Sequence, residues 1–140
     1  MKELDLSVEE MLPIMLEVLE SGGEFRFYPR GTSMLPLLRQ GLDSVILRTC
    51  DNIKKGDICL YKRNNGDYVL HRVANVAKDG TLDFRGDNQP QLERGVHFSQ
   101  VIAKVARVMR CEKPVSPNSV FYRLTRLSAP ARAWRFRKRK

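Results

Sequence analysis

Ser33, His71 and Asp87 are the residues whose types and order could do chemistry. A serine hydroxyl is a poor nucleophile at neutral pH and needs a base within hydrogen-bond reach. A neutral imidazole can take the serine proton and return it to a leaving amine. A carboxylate can then hold the imidazole in the required tautomer. Ser33 lies in Gly31-Thr32-Ser33-Met34-Leu35-Pro36, His71 in Val69-Leu70-His71-Arg72-Val73 and Asp87 in Arg85-Gly86-Asp87-Asn88. Gly31 permits a sharp turn through positive φ, and Pro36 suits the first turn of a helix. The hexapeptide therefore predicts a loop or strand handing over to a short helix over residues 35–40, with backbone N–H groups near the Ser33 hydroxyl. Each residue also has a plainer role. Ser33 could be a helix N-cap, His71 a core histidine on a strand, and Asp87 the cap of an Asx turn. Asp83 is the substitute carboxylate. Arg72 could pair with either aspartate as a strut. Asp57, in Lys55-Gly56-Asp57-Ile58, shapes a turn, and His97 belongs to the surface.

The elements that must position these residues follow from periodicity. Residues 8–20 read as one amphipathic helix, with Met11, Leu12, Ile14, Met15, Val18 and Leu19 on a broad apolar face. Ser7 and Glu10 fit a capping box. Pro13 either kinks the helix or marks its first turn, and Gly22-Gly23 ends it. Phe25 and Phe27 alternate with polar neighbours, which predicts a half-buried strand over 24–29. Further strands are expected at 44–48, 58–62, 68–76, 81–85 and 101–109. Asn65-Gly66 makes the hairpin between the third and fourth of these strands, and Asp79-Gly80 makes a second turn. A helix followed by about seven short strands with tight turns predicts a mostly β domain of coiled antiparallel sheets. The organisation expected is an N-terminal helix over 1–23, a β domain over 24–112 and a basic aromatic tail over 113–140.

Charge is placed unevenly. Residues 1–112 carry 16 basic and 16 acidic side chains, while residues 113–140 carry nine basic and none acidic, so the whole +9 belongs to the C-terminal segment. Within it, Phe121, Leu124 and Leu127 share one helical face, and Trp134 and Phe136 sit among arginines and lysines. That composition suits an anionic membrane surface or an acidic partner. Sequence-specific nucleic-acid binding is not expected of it. Cys50, Cys59 and Cys111 are odd in number and lack metal-ligand spacing, so reduced thiols in a cytoplasmic setting are expected, with no metal and no cofactor. The acidic N-terminus, interrupted by Pro13, does not read as a secretory leader. No stretch approaches the roughly 20 apolar residues that span a bilayer.

Gly-x-Ser-Met-x-Pro, then Gly-Asp-Ile, Leu-His-Arg-Val and Gly-Asp-Asn, in that order over residues 25–110, resembles the signal peptidase I and SOS-repressor superfamily of serine peptidases. It is most similar to the branch with a serine–histidine pair, found in archaeal and endoplasmic-reticulum signal peptidases and some Gram-positive ones. The housekeeping bacterial enzymes and the repressors place a lysine where this chain has His71. The resemblance implies a signal-peptidase-like β fold, Ser33 as nucleophile, His71 as base and Asp87 as its support. It also implies a groove shaped by Met34 and Pro36 that takes an extended peptide. Two features differ from the relatives. Their transmembrane anchor has no counterpart here. The hydroxyl residue that some carry two places before the nucleophile is Gly31, which leaves oxyanion stabilisation to backbone N–H groups, that of Ser33 foremost. The expected function is a serine endopeptidase acting on a precursor or leader peptide through an acyl-enzyme, in the cytoplasm or peripheral to the inner face of the membrane. The rival is a non-catalytic peptide-binding accessory of a maturation or secretion system. A self-cleaving regulator would need a DNA-binding region, and one helix is too short for a helix-turn-helix.

Overall fold

The computed structural model describes residues 8–116, together with Ser119 and Tyr122. The chain is mostly β. Helix α1 spans Val8–Glu20. Eight strands follow: β1 Phe25–Phe27, β2 Asp43–Arg48, β3 Ile58–Lys62, β4 Tyr68–Val76, β5 Leu82–Arg85, β6 Glu93–Val96, β7 Val101–Arg110 and β8 Lys113–Val115. They form one open antiparallel sheet in the order β1-β2-β7-β3-β4-β5-β6, with β8 paired to β7.

Glu9 and Glu10 place negative charge at the positive end of the α1 dipole. Pro13 lies inside the helix rather than at its first turn. It removes one backbone donor, and the helix continues because Met15 and Leu19 bury fully against the sheet. Gly22 closes the helix at φ +83°, and the Gly22 and Gly23 amides donate to Leu19 and Val18. Ser7, and with it the capping box, lies outside the described residues.

The apolar residues split into two clusters. One joins Met15 and Leu19 to Phe27, Met34, Leu37, Leu38, Val45, Leu47, Leu60 and Val108. The other packs Cys59, Tyr61, Val73, Leu82, Phe84 and Val96. The Asn65-Gly66 hairpin forms as expected, with Arg63 N–H donating to the Asp67 carbonyl at 2.7 Å. It fixes a register that sets His71 opposite Cys59 and Arg72 opposite Ile58. Successive strand residues face opposite sides, so His71 and Arg72 diverge.

Three expectations are corrected. No helix forms over residues 35–40. The segment is a pair of turns, with Leu35 N–H on the Thr32 carbonyl and Leu38 N–H on the Met34 carbonyl, and a cis Leu35–Pro36 bond. Strand β6 was not expected, because Glu93-Arg94-Gly95-Val96 has a single apolar residue to signal it. The boundary set at residue 112 falls inside a hairpin, since Lys113–Val115 pairs with β7. Cys111 and Glu112 make that turn at φ 48° and 70°. Non-glycine residues there cost about 1–2 kcal/mol each. Tertiary bonds offset this: Glu112 accepts from Arg26 and Tyr28, and Cys111 N–H donates to Asp43. Beyond Tyr122, the aromatic basic tail lies outside the described residues.

Candidate active site

Ser33 and His71 line one cleft of about 470 Å³. Ser33 comes from the turns between β1 and β2, and His71 from the middle of β4. Phe27, Met34, Leu38, Leu60 and Leu70 give the cleft its apolar wall, and Tyr28, Arg30, Arg63 and Asp67 its polar one. Met34 lies in that wall as the groove reading expects, whereas Pro36 is not among the lining residues.

Gly86 brings the two candidates together. A Cβ at this position would stand 2.7 Å from the Ser33 carbonyl oxygen and 3.1 Å from His71 Nε2. The glycine is required for space, and it lets the loop after β5 slide between serine and histidine. Asn88 N–H donates to the same Ser33 carbonyl at 2.8 Å, and Asp87 N–H points at Met34 Sδ at 3.4 Å. The serine turn therefore rests on the 86–89 loop.

Asp87 does not support the imidazole. Both of its carboxylate oxygens accept from Arg72, Oδ1 from Nε at 2.7 Å and Oδ2 from Nη2 at 2.8 Å. Arg72 also donates to the Gly56 carbonyl at 3.0 Å and lies under the Tyr122 ring. Arg72 is thus the strut the sequence suggested, on the side of β4 away from His71. Asp83 is no substitute, because its oxygens take Gly95 N–H and Asn75 Nδ2. His71 Nδ1 is buried without a hydrogen-bond partner among the described residues. Asp57 caps its turn by accepting from Lys54 N–H, and His97 caps the single 3-10 turn at Phe98–Gln100, as surface residues do.

The charges that bear on His71 are Arg63 and Glu93, neither foreseen. Burial lowers the imidazole from its ordinary value to about 4, Arg63 pushes the same way, and Glu93 opposes both. Glu93 is itself held by Tyr61 Oη at 2.6 Å and by Arg63 Nε at 3.1 Å. Burial alone would raise the Glu93 carboxyl; those two donors more than reverse it. The Tyr61 ring stacks on Phe84 at 4.2 Å and meets the His71 ring edge-on at 6.4 Å. Tyr61 is the cross-strand partner of Val69, and 61 and 71 share a sheet face by alternation. That periodicity was the available signal. Glu93 sits on a strand the sequence did not announce.

Among the described residues no group of His, Cys, Asp and Glu could hold a metal, and no helix is long and apolar enough to cross a membrane. Comparison with protein-family models, with curated proteins and with solved structures gives no match.

Proposed function

We propose that the chain is a serine endopeptidase with a Ser33–His71 dyad. One observation carries the reading: a serine and a neutral, buried histidine from distant segments meet across Gly86 at one cleft. His71 Nε2 takes the Ser33 proton as Oγ attacks the scissile carbonyl. The protonated imidazole then gives that proton to the leaving amine, leaving an acyl-enzyme that water hydrolyses by the reverse route. The Ser33 N–H is the donor assigned to the oxyanion. For Nε2 to accept a proton, Nδ1 must carry one. The apolar wall and the edge strand β1 suit an extended precursor or leader peptide, read through main-chain bonds and shallow pockets. The basic segment 121–140 would hold the enzyme at an anionic membrane surface or an acidic partner on the cytoplasmic side.

The partnerless His71 Nδ1 favours a second reading. A cleft of the same shape, with a base no carboxylate supports, would hold a peptide without cutting it, as an accessory in maturation or secretion. A fluorophosphonate probe separates the two. The enzyme reading expects wild type to be labelled on Ser33, and Ser33→Ala and His71→Ala to remain unlabelled. A folded wild type that takes no label supports the accessory.

A further inference from the structure

Two of the three cysteines meet where the sequence gave no pairing. Lys104 on β7 is in register with Arg48 of β2 on one side and Cys59 of β3 on the other. Cys50 lies two residues beyond Arg48, in the connection from β2 to β3 that passes around Lys104. The Cys50 thiol points at the Asn52 carbonyl at 4.0 Å, and Lys104 Nζ donates to the same oxygen at 3.0 Å. The Cys50 and Cys59 thiols share a hydrogen bond. Both are free. Cys59 is wholly buried in a central strand, whereas Cys50 is half-exposed in a segment without regular structure. We propose that Cys50 and Cys59 are a reversible dithiol–disulfide pair, a modification site in which Cys50 is the attacking thiol, Cys59 the resolving one and a low-molecular-weight disulfide the oxidant.

The asymmetry of the pair supports these roles. The hydrogen bond from Cys59 holds the Cys50 thiol below its ordinary range, and the Lys104 ammonium acts the same way, against burial and the Asp57 carboxylate. The same contact, with burial, pushes the Cys59 thiol up. Cys50 is therefore the thiolate that forms first and the sulfur that solvent reaches. In the first step the Cys50 thiolate attacks one sulfur of the oxidant, forming a mixed disulfide and releasing one thiolate. In the second, Cys59 loses its proton to solvent and attacks the Cys50 sulfur, releasing the second thiolate. The oxidant gains two electrons and the protein loses them. Closing the bond requires the sulfurs to approach from contact to bonding distance, and the irregular Cys50 segment can move where strand β3 cannot. Cys59 is the cross-strand partner of His71, so the link would fasten the strand facing that histidine.

The test is incubation of the reduced full-length protein with oxidised glutathione, followed by intact-mass measurement and peptide mapping. The expected result is a mass lower by two hydrogens, with a Cys50–Cys59 link. Cys111→Ser should link as wild type does, and Cys50→Ser, a substitution at a half-exposed loop site, should give no link. Alkylation of the reduced protein should modify Cys50 at least about tenfold faster than Cys59. A stable glutathione adduct on Cys50, a link to Cys111, or three thiols left free would each overturn the proposal. None of these outcomes depends on the serine chemistry.

Discussion

Arg72 holds both carboxylate oxygens of Asp87, at 2.7 and 2.8 Å, one residue along β4 from His71. The pair is nearly sealed from water, with side chains 7% and 1% exposed. Because Arg72 and His71 face opposite sides of the strand, the pair steadies the 86–89 loop without touching the imidazole. That loop in turn carries the Ser33 carbonyl through Asn88. Asp87 is therefore a positioning residue, two contacts removed from the proposed chemistry.

Asp87→Ala should be costly to the fold. It strands a buried guanidinium, and breaking such a pair by removing one partner costs about 3–5 kcal/mol. Urea unfolding of the variant checks this. A loss under about 1 kcal/mol would mean the pair is better solvated than its burial indicates.

Gly86→Ala should damage the site more than the fold. The new methyl would press on the Ser33 backbone oxygen at 2.7 Å, an atom that cannot move without the serine turn. Displacing a reacting group by about 1 Å can cost on the order of 100-fold in rate. Peptide hydrolysis should fall by about that factor while the circular dichroism spectrum is retained. Activity unchanged in Gly86→Ala would separate the loop from the site.

The low His71 value sets a pH window. A histidine whose folded pKa is depressed adds stability that is fully present above its unfolded value and is lost as pH falls through the folded one. With 6.5 and about 4 as the limits, the wild type should lose about 3 kcal/mol between pH 7 and pH 4 through this group. His71→Gln should remove that part of the slope, as urea midpoints over the same range will report. The acid limb of kcat/KM should likewise fall near pH 4 rather than 6.5.

Arg63 and Glu93 should move that limb in opposite directions. Arg63→Gln removes a cation that disfavours the imidazolium and should shift the limb to higher pH. Glu93→Gln removes the opposing carboxylate and should shift it lower. A pH profile with the same limb in both variants would leave Tyr61, Arg63 and Glu93 a purely structural cluster.

What the sequence made legible follows local physics. Strands β3 and β4 were readable to the residue because Asn65-Gly66 fixes a hairpin and alternating apolar residues flank it. Helix α1 was readable from one broad apolar face. The fold's turn at Cys111-Glu112 was not, because residues that rarely adopt positive φ are held there by Asp43, Arg26 and Tyr28 from distant strands. The turns after Ser33 were missed for a similar reason: Pro36 is compatible with a helix start, and packing of Met34, Leu37 and Leu38 into the core decides otherwise. In the site, Ser33 and His71 were nameable as types in a motif. The split of β4 between an imidazole on one face and an Arg72–Asp87 pair on the other depends on register, which no local pattern encodes. Glu93 reaches His71's surroundings only because β6 pairs with β5.

The most direct test of the account is a peptide library incubated with wild type and with Ser33→Ala and read by mass spectrometry. The account predicts cleavage by wild type, at a consistent site, and none by Ser33→Ala. Cleavage by both would remove Ser33 as the nucleophile, and cleavage by neither, with both proteins folded, would contradict the peptidase reading and leave a cleft that holds a peptide intact.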